Sequence, residues 1–202
     1  MTLTAPDLKR GCDILISCAA LVALWPLLIA IAIAIKLDTR GPALFRQIRI
    51  GRTGQPFRIH KFRTMIAGAP GSLVSTSDDQ RITRIGRILR ATKLDELPQF
   101  IDVVAGHMSI VGPRPEVPAY VDCWPPQHRE IILSIRPGIT DPASIQLRHE
   151  SDLLANAPEP DRYYREVLLP LKTSLYVQYV ETRSLRGDLA IMFKTAAAVL
   201  RR

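Results

Sequence analysis

An aspartate and a glutamate stand side by side near the middle of the chain, in the stretch TKLDELPQF. Most adjacent acid pairs are solvated surface, so Asp95 and Glu96 need support from their surroundings. Because proline is tolerated only in the first turn of a helix, Pro98 predicts a helix that begins near Asp95. Free N–H groups at a helix N-terminus favour carboxylates and phosphate alike. Neighbouring side chains diverge by about 100°, so one acid can face a reacting centre while the other holds a metal ion.

Basic side chains lie on both sides of this acid pair. Upstream, DDQRITRIGRILRATK has the pattern of a helix capped by Asp78 or Asp79, with arginines every third residue up to Arg90. Downstream, flanking prolines hold Arg114 in an extended segment, and a rigidly held guanidinium is suited to phosphate. For each segment taken alone, a solvated basic surface is the alternative.

A β-hairpin is predicted before these segments, with strands near residues 43–50 and 56–62 on either side of GRTGQ, because apolar and polar residues alternate there. Five basic residues lie on the hairpin and just after it: Arg46, Arg49, Arg58, Lys61 and Arg63. With helices predicted over most of the remaining chain, the fold class is α+β, predominantly helical with one small hairpin.

The overall charge points to an anionic partner. The chain has 202 residues and a formal net charge of +8, with a pI near 9.8. Nucleic acid, phosphorylated small molecules and an acidic membrane surface all fit such a charge. The three cysteines and four histidines are scattered without metal-ligand spacing, so neither a disulfide framework nor a zinc site is predicted.

One apolar run, from Ile14 to Ile35, is long enough to cross a bilayer, since a helix of that length reaches roughly 33 Å. It is too long for a signal peptide. Pro26 near its centre removes a backbone hydrogen bond and kinks a helix. Basic residues flank both ends of the run, and such residues favour the cytoplasmic side of a membrane. A helix that enters, bends and returns keeps both ends on that side, whereas a spanning helix keeps only one. A re-entrant hairpin and a spanning anchor are both open, whereas a multi-pass protein is excluded.

The C-terminal forty residues have the pattern of amphipathic helices broken near Pro170 and Gly187. Two apolar stripes recur at helical spacing: Leu175, Tyr176, Tyr179 and Val180, then Leu189, Met192, Phe193 and Ala196. Tyrosines and basic residues beside such stripes suit helices that lie in a membrane interface. Helices that cover a soluble core fit the same pattern.

Four blocks, HKFRTM, RATKLDELPQF, MSIVGPRPE and RPGIT, follow one apolar segment broken by a proline. In this order they resemble the bacterial sugar transferase family, the monotopic polyprenyl-phosphate phosphoglycosyl transferases, from KRGCDILIS to DLAIMFKT. The resemblance implies the minimal catalytic form: a re-entrant membrane helix with basic flanks in residues 1–40, and a cytoplasmic catalytic domain with interfacial helices in residues 41–202.

The same resemblance implies a reaction. Sugar-1-phosphate passes from a UDP-sugar to a membrane polyprenyl (undecaprenyl) phosphate, UMP is released, and bacterial surface glycan synthesis begins. The expected location is the bacterial inner membrane, with the catalytic domain on its cytoplasmic leaflet, and nucleic acid is not an expected partner.

Roles for the acid pair also come from the resemblance. Asp95 is implied as a nucleophile that forms a covalent phospho-sugar intermediate, which splits one transfer into two displacements. Glu96 is implied as a ligand of Mg²⁺, which neutralises charge that would otherwise repel the attacking carboxylate.

Four basic residues are implied to bind substrate: Lys61, Arg63, Arg90 and Arg114. Pro26 matches the family's membrane break. The chain departs from the family pattern at Trp25, where serine is usual, at Asp102, where asparagine is common, and at His107, where an acid is common.

Two other functions compete with this prediction. A different Mg²⁺-dependent phosphotransferase of the alcohol type would need several aspartates in a multi-pass bundle, which this chain lacks. A membrane-anchored binding module for nucleic acid or anionic lipid fits the charge, but it leaves the acid pair, Pro98 and the Pro-Arg-Pro segment unexplained.

Overall fold

The first element is a single long helix, α1 (Ala5–Asp38), in a computed structural model that describes residues 5–200 and the side chains of residues 7–198. By length and composition α1 can cross a membrane. It continues as helix through Pro26, where the sequence predicts a break. One narrow stripe is buried, at Asp13, Ser17, Ile31 and Ile35, while large apolar residues on the other faces are exposed, including Leu15, Val22, Trp25, Ile29 and Ile33.

Both ends of α1 contact the rest of the protein. Near its start, Lys9 donates a hydrogen bond to the carbonyl of Val111. At its end, the Asp38 carboxylate accepts a hydrogen bond from the Ile85 N–H at 3.1 Å. A small apolar cluster also lies at this end: Ile31, Ile35, Phe62 and Leu89. Both ends of this long helix are therefore attached to the globular part.

The predicted hairpin is confirmed. Strands β1 (Leu44–Ile50) and β2 (Pro56–Phe62) pair antiparallel, from Leu44 opposite Phe62 to Ile50 opposite Pro56, around a short 3-10 turn at Arg52–Gly54. On β2 the alternation seen in the sequence holds from Pro56 to Ile59, where Phe57 and Ile59 are buried. Phe62 is also buried, at the end of the strand.

The helix before the acid pair is shorter than predicted. α2 spans Arg84–Thr92, and its N-cap is Thr83, whose hydroxyl accepts from the Gly86 N–H at 2.9 Å. The predicted cap at Asp78 or Asp79 is wrong, because Ile82 pairs with Met65 in a β-bridge that keeps the chain extended there. Asp79 instead accepts from the Arg81 N–H and closes the preceding turn.

The acid pair lies where a new helical segment begins, as predicted. A 3-10 turn, Leu94–Glu96, leads through Pro98 into α3 (Gln99–Val104). Lys93 before the turn has a left-handed backbone (φ 57°), which ends α2 and changes the chain direction. Asp95 and Glu96 therefore occupy a turn that is fixed on both sides by helices.

A second, parallel pair of strands was not predicted. β3 (Ser109–Val111) pairs with β4 (Gly138–Thr140), Ser109 opposite Gly138 and Val111 opposite Thr140. Two short helices connect them, α4 (Pro118–Val121) and α5 (Pro126–Leu133). The pairing brings the start of GPRP beside RPGIT.

Helices form the C-terminal part: α6 (Pro142–Gln146), α7 (Glu150–Ala155), α8 (Pro160–Tyr163), α9 (Leu169–Thr182) and α10 (Leu185–Leu200). The break predicted near Pro170 is wrong, because a π-helical turn, Tyr164–Leu168, joins α8 to α9 and Pro170 falls in the first turn of α9. The break predicted near Gly187 lies at residues 183–184 instead, where the Ser184 hydroxyl accepts from the Gly187 N–H at 3.1 Å.

The two C-terminal apolar stripes have different surroundings. On α9, Tyr176 and Tyr179 are buried, so this helix covers the core. On α10, Ile191 and Met192 pack against a core cluster while Leu189 and Phe193 are exposed. Within the two predicted stripes, the exposed large apolar side chains lie on α10.

Candidate active site

The two carboxylates of the acid pair converge on one ammonium group. Lys61, from β2, places its Nζ 2.7 Å from Asp95 Oδ2 and 3.3 Å from Glu96 Oε1. Both acids are buried, with 1% of Asp95 and 7% of Glu96 exposed. They therefore share a cation, whereas the helical spacing predicts that they diverge. The 3-10 turn and Lys61 together hold the pair as one unit.

Arg114 forms the second cationic contact. Its guanidinium donates to both oxygens of Glu96, from Nη1 to Oε2 at 3.2 Å and from Nη2 to Oε1 at close range. Two parallel bonds fix a planar guanidinium against a planar carboxylate. The sequence predicts that flanking prolines hold Arg114 rigidly, and here both its terminal nitrogens contact Glu96. Its substrate-binding role stays a prediction.

Two glycines place the Arg114 segment. A Cβ on Gly138 would lie 2.1 Å from the backbone nitrogen of Gly112, and a Cβ on Gly112 would lie 2.6 Å from the carbonyl oxygen of Arg136. Only glycine lets the two chains approach so closely. The extended Pro113–Pro115 segment thereby leaves β3 in a fixed direction, with Arg114 toward Glu96.

Arg90, from α2, lies near the pair without touching it. Its Nε donates to the Thr64 hydroxyl at 2.9 Å and its Nη1 to the Ser75 hydroxyl at 2.8 Å. Burial lowers the pKa of Arg90, and the field of Asp95 partly offsets that effect. Two neutral hydroxyls hold the guanidinium, which leaves its charge available to an anion at the site.

The charges at the site favour an ionised glutamate. Burial opposes ionisation of Glu96, but Arg114 and then Lys61 outweigh it, and the pKa of Glu96 lies well below its usual range. Conversely, the field of Glu96 raises the pKa of Arg114 against the effect of burial. Glu96 is therefore a carboxylate at neutral pH.

One carboxylate oxygen at the site has no hydrogen-bond partner. Asp95 Oδ1 is buried and unpaired within the described part of the chain. A buried acceptor without a partner costs free energy of folding, so such an atom indicates a group that binds a ligand or reacts. It is a free oxygen on the residue that the resemblance implies as the nucleophile.

The carboxylate of Glu96 would suit a Mg²⁺ ion that also binds substrate phosphates. Within residues 5–200, no group of three or more histidine, cysteine, aspartate or glutamate residues forms a cluster that could hold a metal. Mg²⁺ usually keeps several waters and is bound through one or two carboxylates plus substrate phosphates. Glu96 Oε2 accepts a single hydrogen bond from a side chain that the structure describes, so it retains a lone pair.

Arg63 has a different set of partners from the other basic residues predicted at the site. Its buried guanidinium donates to the carbonyl of Pro42 at 2.7 Å, to the carbonyl of Thr39 at 2.9 Å and to the Thr39 hydroxyl at 2.8 Å. It fastens the end of α1 to the hairpin, and its substrate-binding role stays a prediction. Pro26 lies inside α1, and its role in a membrane break also stays a prediction.

A buried polar network that sequence reasoning missed lies on the other side of Arg114. Glu116 accepts from the Tyr164 hydroxyl at 2.5 Å and from Lys172 Nζ at 3.4 Å, and it pairs with Arg49. Lys172 and Arg49 hold the pKa of Glu116 below its usual range although burial opposes this. Glu116 directly follows the Pro-Arg-Pro segment, but the spacing of these residues gives no sign that Lys172 and Tyr164 meet it.

Two of the departures from the family pattern have structural partners. The buried Asp102 accepts from the backbone N–H of His60 at 2.8 Å and lies 2.7 Å from its Nδ1. His107 stacks on Phe57 with ring centroids 5.5 Å apart. Trp25 is exposed on α1. Asp102 and His107 therefore contact the hairpin.

The fold and site define a protein in which one apolar N-terminal helix accompanies a buried acid pair surrounded by cations suited to phosphate. Residues 4–202 match the family described as bacterial sugar transferase, and the chain belongs to that family.

The chain is similar to several curated relatives. It is 39% identical over 202 residues to a UDP-glucose:undecaprenyl-phosphate glucose-1-phosphate transferase of Caulobacter vibrioides, covering 97% of this chain and 71% of the relative. It is 34% identical over 200 residues to a UDP-N-acetylgalactosamine-undecaprenyl-phosphate N-acetylgalactosaminephosphotransferase of Aeromonas hydrophila, covering 96% of this chain and 44% of the relative. It is 37% identical over 206 residues to exopolysaccharide production protein PSS of Rhizobium leguminosarum, covering 96% of both chains. The chain thus spans less than half of the Aeromonas relative.

Proposed function

We propose that this chain transfers sugar-1-phosphate from a UDP-sugar to undecaprenyl phosphate, with release of UMP. Family membership and the names of the Caulobacter and Aeromonas relatives support the reaction class. The observation that carries the proposal is the buried pair of Asp95 and Glu96 held against Lys61 and Arg114. A phosphate-binding surface needs only cations, whereas two buried carboxylates among cations suit a site that performs chemistry on a phosphate.

In the first step, an Asp95 oxygen attacks the phosphorus that bears the sugar. The bond between that phosphorus and the bridging oxygen of the diphosphate breaks, and UMP leaves with the electron pair. The product is an acyl phosphate that carries the sugar. In the second step, an oxygen of undecaprenyl phosphate attacks the same phosphorus and the Asp95 carboxylate leaves. The free Asp95 Oδ1 supports this assignment of the nucleophile.

The cations make the first displacement possible, because an anion that approaches a diphosphate meets strong Coulomb repulsion. Lys61 and Arg114 have 24% and 28% of their side chains exposed, against 2% and 9% for the carboxylates they contact. An incoming diphosphate therefore meets the cations before the acids. Arg90 adds a third charge, and Arg63 stays a candidate whose described contacts are to the end of α1.

Mg²⁺ would be held by Glu96 together with substrate phosphates. When bound, it would supply charge neutralisation at the diphosphate. Glu96, kept ionised by Arg114 and Lys61, is ready to accept a cation at neutral pH.

We propose a monotopic position in the inner membrane, with the globular part on the cytoplasmic leaflet and α1 entering and leaving on that side. Contacts from both ends of α1 to the globular part support this position, since a perpendicular span would carry one end to the far side of the bilayer. The exposed apolar side chains of α1 and α10 suit contact with lipid.

Replacing the nucleophile tests the reaction. Asp95→Asn is expected to lower UMP release from UDP-sugars by on the order of 10³-fold or more, because the protein then lacks the attacking carboxylate. Incubation of the unaltered chain with UDP-sugar and Mg²⁺ is expected to give a sugar-phosphate adduct in intact-mass spectra, which Asp95→Asn lacks. Asp78→Asn, at an exposed aspartate, is the matched control and is expected to keep both signals.

An active Asp95→Ala protein would exclude the covalent route. If the unaltered chain releases no UMP and Asp95→Asn leaves its binding of anionic ligands intact, the alternative of a binding module replaces an enzyme. The sugar is a separate question, since the relatives named above differ between glucose and N-acetylgalactosamine. A panel of UDP-sugars assayed for UMP release answers it.

A further inference from the structure

A cavity with many charged residues in its lining lies away from the acid pair. Its volume is about 410 Å³, and it lies between the start of α1, strand β3, the segment before β4 and the start of α10. The charged side chains that line it are Lys9, Arg10, Asp13, Arg52, Arg136, Arg183 and Asp188. None of the candidate catalytic residues lines it. Its volume lies within the ordinary range for a small-ligand site, roughly 300–1,000 Å³.

The two acids of this cavity already have partners. Asp188 pairs with Lys9 and accepts from the Tyr179 hydroxyl at 2.7 Å. Asp13 accepts from the Ser109 hydroxyl at 2.7 Å. Five basic and two acidic side chains line the cavity, which leaves an excess of three positive charges.

Several guanidinium donors in the cavity have no partner. Arg183 makes no hydrogen bond and no ion pair with any residue that the structure describes. Arg52 and Arg136 each use only Nε, to the carbonyls of Ser134 at 3.2 Å and Gly106 at 2.9 Å. Their terminal nitrogens therefore have no acceptor among the described residues. Planar guanidinium groups that face one cavity suit the oxygens of a phosphate.

Repulsion between arginines in the cavity favours the binding of an anion. Arg10 donates to the carbonyls of Val103 at 2.7 Å and Met108 at 3.2 Å. Its pKa is lowered by burial and then by the charge of Arg136, while Asp13 acts in the opposite direction. An anion among these side chains would relieve that repulsion.

The cavity also lies beside the exposed apolar side chains that we propose contact the membrane. Lys9 and Arg10 directly precede the apolar run of α1. On α1, Leu15 is 71% exposed, and on α10, Phe193 is 74% exposed. A polar cavity between two helices that carry exposed apolar side chains matches a lipid, with its headgroup in the cavity and its chains along the helices.

We propose that this cavity binds the phosphodiester headgroup of an anionic glycerophospholipid, with Arg136 and Arg183 as its principal donors. The bound lipid neutralises the excess charge and ties the start of α1 to α10 at the membrane surface. This binding is separate from the sugar-phosphate reaction and does not depend on it.

Lipid retention tests the proposal on the full chain in non-ionic detergent. Native mass spectrometry during titration with dioleoyl phosphatidylglycerol is expected to show one retained lipid, bound at least about tenfold more tightly than dioleoyl phosphatidylcholine. Arg136→Gln with Arg183→Gln is expected to weaken this binding by at least about tenfold. Arg84→Gln with Arg87→Gln, at two exposed arginines of α2, removes the same charge and is expected to change it by less than twofold.

Four results would overturn the proposal. Equal retention by the cavity variant, or equal losses in both double variants, would mean that lipid binding does not use this cavity. Displacement of phosphatidylglycerol by millimolar inorganic phosphate would make the ligand a free anion. Displacement by micromolar farnesyl phosphate, lost in the same variant, would assign the cavity to a polyprenyl phosphate.

Two further proteins keep the test decisive. Arg183→Gln alone removes an exposed side chain with no described hydrogen bond or ion pair, so it is expected to fold normally and still to weaken phosphatidylglycerol binding at least about threefold. Asp95→Asn is expected to keep full lipid binding while it loses UMP release. A failure of the lipid site is thereby distinguished from a failure of the proposed reaction.

Discussion

Glu96 holds two cationic side chains together, in addition to its proposed contact with a metal ion. It is the acid that Lys61 and Arg114 share, and these cations lie close enough to repel each other without it. Its carboxylate takes hydrogen bonds from both, and hydrogen bonds to charged groups are each worth about 1.5–3 kcal/mol. The same side chain thus holds the site together and takes part in its chemistry.

A pH-dependent stability follows from this arrangement. The folded-state pKa of Glu96 lies below its ordinary value near 4.5. Its stabilisation is therefore fully present above that ordinary value and is lost as the pH falls through the folded-state pKa. Glu96→Gln is expected to lower stability at pH 7 by about 2 kcal/mol, since two cations lose their acceptor. Thermal unfolding in detergent, measured at pH 7 and then at successively lower pH, is expected to show this difference shrink below about pH 4.5.

Glu130→Gln is the control for this measurement, because Glu130 is an exposed glutamate on α5. It is expected to match the unaltered chain at every pH. If Glu96→Gln is as stable as the unaltered chain at pH 7, or if the difference stays constant at acid pH, the ion pair does not contribute as described. Magnesium-dependent turnover in the same variant is expected to fall as well, which links the structural and chemical duties.

Individual side chains show what could be predicted from the sequence. Lys61, Arg114 and the acid pair were predicted at one site, and they are in contact. Arg63 stands two residues after Lys61, a spacing that places both on one face of an extended strand. However, β2 ends at Phe62, so Arg63 turns to the end of α1 instead. Residue types and spacing were enough to predict the chemistry of the site, but the direction of the Arg63 side chain depends on where β2 ends.

The close backbone contact between strands β3 and β4 helps to position Arg114 in the site. Their close approach at Gly112 and Gly138 sets the path of the Arg114 segment. Neither glycine has a positive φ, so space between the chains and not backbone conformation is the constraint. A small substituent at this crossing should therefore disturb a residue several ångströms away in the site.

Gly138→Ala tests this coupling. The added Cβ would lie 2.1 Å from a backbone nitrogen, so the strands must separate, at a cost of about 1–3 kcal/mol or more. We expect a lower melting temperature and a KM for UDP-sugar that rises several-fold, because Arg114 loses its position. The control is Gly11→Ala, since a Cβ there meets nothing within 4 Å and alanine favours the interior of α1. Wild-type KM in Gly138→Ala would show that Arg114 is not positioned by this crossing.

The elements differed in how well local patterns predicted them. The hairpin was predicted closely because alternation and its turn lie within twenty residues. The parallel pair of β3 and β4 joins segments on either side of two helices, and three-residue strands carry too short a pattern to recognise. The cap of α2 was misplaced because the bridge between Met65 and Ile82 is a tertiary contact. Pairing between distant segments, and not local propensity, limited the prediction.

The molecule as a whole places its apolar and basic features together. Exposed apolar side chains lie along α1 and on α10, and basic residues flank both ends of the apolar run. The proposed lipid cavity occupies one of these ends. The hydrogen bond from Lys9 to Val111 and that from Ile85 to Asp38 tie the two ends to one globular part.

Accessibility across the membrane tests this arrangement. Three single-cysteine proteins suffice: cysteine at Leu8, cysteine at Leu37, and the native Cys123 alone as a marker of the globular part, all three being exposed positions. A membrane-impermeant maleimide is expected to label all three in inside-out vesicles and none in intact spheroplasts, because both ends of α1 stay beside the globular part. Labelling of the Leu8 position from outside, with the other two labelled from inside, would restore the spanning anchor. The sugar-phosphate reaction would be unaffected by that result, since its residues lie on the side that carries Cys123.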